Sequence, residues 1–161
     1  MGKFISWVAL GFFVVVVPFI SWYYLKQGYN YRKAILSEVL PKDSIYFRLD
    51  TNGLLKSKTT VLVLSKSSQE INTNINGVYE QFKNVPNFQI VSFDSISGNT
   101  IKIDSGFVDL RPKYHEFSFI LVDTAYRIRN FYPNNDTSIK KLIEHIAVIL
   151  PRQKDADIKM K

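Results

Sequence analysis

Residues 60–65 read Thr-Val-Leu-Val-Leu-Ser and residues 88–94 read Phe-Gln-Ile-Val-Ser-Phe-Asp. The first stretch is β-branched and apolar on both faces, the pattern of a central strand covered from above and below. Between the two, Ile71, Ile75, Val78, Tyr79 and Phe82 fall at i, i+4, i+7, i+8 and i+11. That spacing draws one apolar stripe down a helix, and Pro86 closes it. A strand, a helix and a strand in this order form a βαβ unit, for which a right-handed crossover is expected.

Working outward, residues 116–122 and 127–132 read as two strands joined by a turn at Asp123–Tyr126. Pro133 to Ser138 stops the second strand and offers several side-chain oxygens for a helix N-cap. Ile139, Leu142, Ile143, Ile146, Ile149 and Leu150 follow at helical spacing, with Pro151 as the terminator. Residues 95–115 are less regular. Gly98-Asn99 reads as a turn between short strands, residues 100–103 (TIKI) as the second of them, and Gly106 and Pro112 break the remainder. Upstream, residues 44–49 (SIYFRL) alternate like a strand, and Asp50-Thr51-Asn52-Gly53 is a turn signal because Asn and Gly accept positive φ. The order after residue 59 is β-α-β, an irregular stretch, then β-β-α. The fold expected is therefore α/β and thioredoxin-like.

Phe4 to Leu25 carries no charge over 22 residues, enough to span about 33 Å as a helix, one hydrocarbon core. Trp22, Tyr23 and Tyr24 stand at its exit and Trp7 at the other end, where amphipathic rings favour the headgroup level. Pro18 and Gly11 are tolerated inside a membrane helix. A cleaved signal peptide has an apolar stretch of about 7–15 residues followed by small residues; this run is longer and its exit is aromatic, which favours a retained anchor. The expected division is a transmembrane anchor at 1–25, a connector at 26–43, a domain at 44–151 and a flexible tail at 152–161. The connector holds a short helical pattern (Ile35, Val39, Leu40) that stops at Pro41. Lys3 flanks one side of the run; Lys26, Arg32 and Lys33 flank the other. Read literally, this leans against export of the domain, although a three-residue tail is easily left in the cytoplasm.

The chain has 161 residues and no cysteine. That excludes disulfides, Cys-ligated zinc, iron–sulfur clusters and thiol nucleophiles. Two histidines limit any imidazole-rich metal site. The net charge is +7, but the basic residues are scattered: Arg32 and Lys33, Lys56 and Lys58, Lys140 and Lys141, Arg152 to Lys161. No run of five appears, so they read as solvated surface and nucleic acid is not an expected partner. Gly53, Gly77, Gly98 and Gly106 are isolated, which leaves no phosphate loop.

The block from Tyr114 to Leu150, YHEFSFILVDTAYRIRNFYPNNDTSIKKLIEHIAVIL in its core, resembles the end of SCO/SenC-type copper chaperones of cytochrome oxidase. Those carry a His before a strand, a hairpin usually turning on Pro-Asp-Gly, a second strand ending in aromatics, and a closing amphipathic helix. His115 stands nine residues before Thr124, as the family's copper-ligating His stands nine before its turn proline. Residues 45–53 (IYFRLDTNG) are similar to the family's opening hairpin and residues 60–65 to the strand leading into its metal loop. The resemblance covers roughly residues 44–150. The family's Cys-x-x-x-Cys is replaced here by Ser65-Lys66-Ser67-Ser68-Gln69-Glu70-Ile71, and soft thiolates are what hold Cu(I). Neither Met1 nor Met160 is placed to replace them. The resemblance thus implies a degenerate relative that keeps the fold and has lost the copper chemistry. It would be a single-pass protein of the bacterial inner membrane with a periplasmic domain, which binds a protein partner, cytochrome oxidase or another respiratory complex. A stable accessory subunit of such a complex is the alternative.

The candidate side chains are few. His115 stands at the relic metal-ligand position or is a surface His at a strand start; no metal or other cofactor is expected. His145, beside Glu144 and off the Ile/Leu stripe, reads as solvated. Asp94, Asp104, Asp109 and Asp123 show no pairing in their spacing and suit strand ends and turns. Ser65, Ser67 and Ser68 occupy the loop where thioredoxin-like enzymes hold their reactive atom, but no base or G-x-S-x-G accompanies them, so a capping role is simpler. An enzyme using Ser or Asp ranks last. Phe117, Phe119, Phe131 and Tyr132 are either core or an exposed patch for a protein partner.

Overall fold

The computed structural model describes residues 2–44, 53–94, 96, 99–103 and 110–150. The elements are α1 (Gly2–Glu38), β1 (Asp43–Ser44), β2 (Thr59–Val63), α2 (Gln69–Phe82), β3 (Phe88–Ser92), β4 (Ile101–Lys102), β5 (Phe119–Val122), β6 (Arg127–Tyr132) and α3 (Asp136–Ile149). The chain divides into two units, residues 1–38 and 39–161.

The first unit is one uninterrupted helix of 37 residues. It is long and apolar enough to cross a membrane. Its large apolar side chains from Leu10 to Leu25 are exposed wherever they are described, except the half-exposed Val16. Pro18 sits inside it without ending it. The expected connector at 26–43 is corrected: residues 26–38 continue α1 rather than forming a separate short helix. Extending a helix costs far less than nucleating one. Gly28 costs only about 1 kcal/mol relative to alanine. The terminator is Pro41, and the helix stops just before it, at Glu38.

The second unit is built on a six-stranded mixed sheet in the order β1-β6-β5-β2-β3-β4. β2 lies inside it, parallel to β3 (Val61↔Ile90) and antiparallel to β5 (Val61↔Leu121). All five of its residues are buried, as a strand covered on both faces requires. β5 and β6 form the expected hairpin, with a register irregularity at Leu121/Val122. β1 adds antiparallel to the far edge, Asp43 opposite Ile128. Of the strand expected at 44–49, Ser44 belongs to β1, and the rest lies outside the described residues, as do Asp50–Asn52 of the turn and the tail at 152–161. Gly53, the last residue of that turn, has φ 63°.

Of the turn expected at Gly98-Asn99, Gly98 lies outside the described residues. β4 runs parallel to β3, Val91 opposite Ile101, so the chain crosses over between Ser92 and Ile101.

Strand alternation divides the core. On one face Val61, Val63, Ile90, Phe119, Leu121 and Tyr132 meet Ile71, Ile75, Val78 and Phe82 of α2 and Ile139, Leu142 and Ile146 of α3. Both helices therefore cover the same side. On the other face Leu62, Leu64, Val91, Ile120, Val122 and Ile128 are covered by Leu55, Ile103 and Leu110, which come from irregular chain.

Candidate functional site

The candidate segments of the sequence lie at the end of the sheet at which β2 finishes and β5 begins. The Leu64 amide donates to the Ser118 carbonyl at 2.9 Å, which brings the Ser65–Ser68 loop and the His115–Ser118 segment to the same end. The two regions singled out in the sequence, fifty residues apart, thus meet in the fold. Their side chains carry little chemistry there. Ser68 adopts extended backbone at the N-cap of α2, and its Oγ accepts from the Ile71 amide at 3.2 Å. Ser68→Ala is expected to cost about 1 kcal/mol, the usual value of an N-cap oxygen, read as a lower urea midpoint of the full-length protein in detergent.

His115 is exposed in a turn. Among the described residues no group of three or more His, Asp or Glu side chains could hold a metal. Of the four aspartates singled out in the sequence, Asp94 and Asp123 are described and lie in different segments. Asp94 pairs with Arg111 at 3.2 Å, and Asp104 and Asp109 lie outside the described residues. Asp43, not singled out in the sequence, accepts from Lys113 at 2.8 Å and from the Tyr114 hydroxyl at 2.7 Å. The Asp43 carboxylate, then Tyr114, hold the Lys113 ammonium above the ordinary lysine range.

Asp123 is the exception in kind. It is 3% exposed and sits in the β5–β6 turn. Its Oδ1 accepts from the amides of Ala125 and Arg127, both at 2.9 Å. Its Oδ2 takes Nε of Arg127 at 2.9 Å and Nε of Arg129 at 2.7 Å. Arg129 also donates to the Val39 carbonyl at 3.2 Å. Burial alone pushes this carboxyl up. The backbone donors of Arg127 and Ala125 and the two guanidinium groups outweigh it, and the net result is below the ordinary Asp range. The reason for so many contacts is local. Tyr126 has φ 61°, a left-handed conformation that costs a non-glycine residue about 1–2 kcal/mol. The carboxylate anchors the turn around it.

The reading of His145 is corrected. It is 1% exposed and shares a 2.7 Å hydrogen bond, Nδ1 to the Tyr132 hydroxyl. At 100° per residue it lies beside Leu142 on the helix wheel, just outside the Ile/Leu stripe. The sheet covers that flank because β6 brings Tyr132 beneath it. Tyr132→Phe is expected to cost about 1 kcal/mol, one buried hydrogen bond, measured as a loss in thermal midpoint.

The aromatics split by strand face. Phe119 and Tyr132 are core. Phe131 is half-buried and stacks at 5.0 Å centroid distance with both Tyr114 and Phe117. A separate groove of about 380 Å³ lies between the C-terminal end of α2 and the start of β3, bordered by Tyr79, Phe82, Lys83, Phe88 and Ile101. It is away from the serine loop, which precedes the other end of α2.

No protein-family model and no curated protein matches the chain. Among solved structures it is similar to one described as "Crystal structure of Trgpx in apo form", at 14% identity over 58% of this chain and 83% of that one, with a TM-score of 0.38.

Proposed function

We propose that this is a membrane-anchored, thioredoxin-like protein of SCO/SenC type that has lost its copper chemistry and acts by binding a protein partner in the assembly of a bacterial respiratory oxidase, with its domain in the periplasm. One observation carries the reading. The loop after β2, where that family holds both thiolates, is a serine-rich turn whose last hydroxyl caps α2. The resemblance supplies the oxidase and the compartment. The β6-β5-β2-β3 order, with both helices on one face, supports the thioredoxin-like assignment.

The test is a pull-down of the full-length protein from its native membrane in mild detergent, with mass spectrometry of what accompanies it. Oxidase precursors or assembly factors in substoichiometric amount are expected. Oxidase subunits in fixed ratio would instead make it a stable accessory subunit, a reading favoured by the exposed apolar surface of α1. No partner would overturn both. Tight stoichiometric Cu(I) binding would overturn the loss of copper chemistry.

A further inference from the structure

We propose that Trp22, Lys26, Tyr29 and Lys33 form a stripe along α1 that binds anionic phospholipid headgroups. The proposal rests on the reading of α1 as a membrane span and adds the class of lipid that this end of the helix selects.

The continuity of α1 creates the stripe. Were residues 26–33 a loose connector, these side chains would share no surface. In one helix, positions i, i+4, i+7 and i+11 fall within an arc of about 60°. All four side chains are exposed, Trp22 by 55% and Tyr29 by 66%. The Lys26 ammonium lies 4.9 Å from the centre of the Trp22 ring, so cation and ring already form one amphipathic surface. Arg32 adds a third exposed cation on the neighbouring face.

The charge is unopposed along the helix. No Asp or Glu occurs from Met1 to Ser37; Glu38 is the first. None of the three cations therefore has an acidic neighbour three or four residues away, the spacing at which a helix would neutralise it. The axial position also fits. The apolar run ends at Leu25, and Lys26 to Lys33 lie about 1.5 to 12 Å further along the axis. The headgroup layer is roughly 5–7 Å deep on each side. A common helix tilt of about 20° and the long lysine stems bring the stripe down onto that layer. Tyrosine and tryptophan rings sit there for the same reason.

The test uses the full chain with Trp7→Phe, which leaves Trp22 as the sole tryptophan. The protein is reconstituted in phosphatidylcholine vesicles containing either brominated phosphatidylcholine or brominated phosphatidylglycerol, and quenching of Trp22 gives the relative association of each lipid. Phosphatidylglycerol is expected to be favoured by about fivefold, the preference that one cation near an anionic surface confers. Lys26→Gln with Lys33→Gln should lower the ratio, and adding Arg32→Gln should bring it close to one. Lys140→Gln with Lys141→Gln, which removes the same charge from α3, should leave it unchanged. Equal association of the two lipids with the parent protein would overturn the proposal, and would point instead to an acidic protein helix as the occupant. So would selectivity undiminished by loss of both lysines. If brominated phosphatidylcholine fails to quench Trp22 at all, the span itself is wrong, a failure distinct from lack of selectivity.

Discussion

Asp123→Ala is expected to lower the stability of the second unit by about 3–5 kcal/mol, the range for breaking a buried ion pair from one side. Two effects combine. The substitution leaves Arg129, whose side chain is only 19% exposed, without its countercharge. It also removes the acceptor for the amides of Ala125 and Arg127, while Tyr126 still has to hold its left-handed backbone. Asp123→Asn keeps an oxygen for the amides and loses only the charge, so a smaller loss is expected and the variant stays measurable. Urea titration of the full-length protein in detergent, followed by near-ultraviolet circular dichroism, separates the two. The pH dependence has a definite sign. The carboxyl titrates lower in the folded protein than in the unfolded chain. Its contribution is therefore fully present above the unfolded value of about 3.9 and is lost as pH falls through the folded one. The parent protein should weaken in that acid window, and Asp123→Asn should lose this part of the weakening. An equal acid response in both would show that Asp123 does not stabilise the fold.

Phe119→Ala is expected to cost about 3–5 kcal/mol, as large-to-small changes of buried aromatics do. The ring is 1% exposed, on the strand that joins β2 to β6, with Val63 opposite it on one side and Tyr132 on the other. Neither neighbour can collapse into the gap without shifting a strand, so the cavity term stays large. Phe117→Ala, two residues earlier and only half-buried, should cost clearly less. Comparable losses in the two variants would contradict the central place of Phe119 in the core.

What the sequence made legible was governed by pattern. The both-sided apolar run of β2, the stripe of α2 and the caps at Ser68 and Asn135 are local signals, and the structure holds each of them. The errors came where local signals stop. Pro41 ended the helical pattern of the connector, but nothing local separated that pattern from the apolar run, and cooperativity joined them. His145 lies at the edge of its stripe, and only the position of β6 decides that this edge is covered. Asp123 looked like an ordinary turn residue. Its partners sit at i+2, i+4 and i+6, spacings that gain meaning only once the turn and the left-handed Tyr126 bring them together. The sequence singled out Ser65–Ser68 and the neighbourhood of His115, and the β2–β5 pairing explains why the two segments share one end of the sheet.

That same pairing sets the order in which the chain can fold. β2, α2 and β3 are local to one another, as are β5, β6 and α3. The two modules join where β2 zips against β5, between residues about 60 positions apart, and where α2 and α3 share one core. Closing a loop of that length carries a large entropic cost that grows only slowly with further length, and pairing so distant in sequence makes for slow folding. Docking of the two halves along this antiparallel seam is the expected slow step. Substitutions along that seam, at Val61 or Leu121, should slow refolding, whereas changes in the two-residue β4 should mainly speed unfolding.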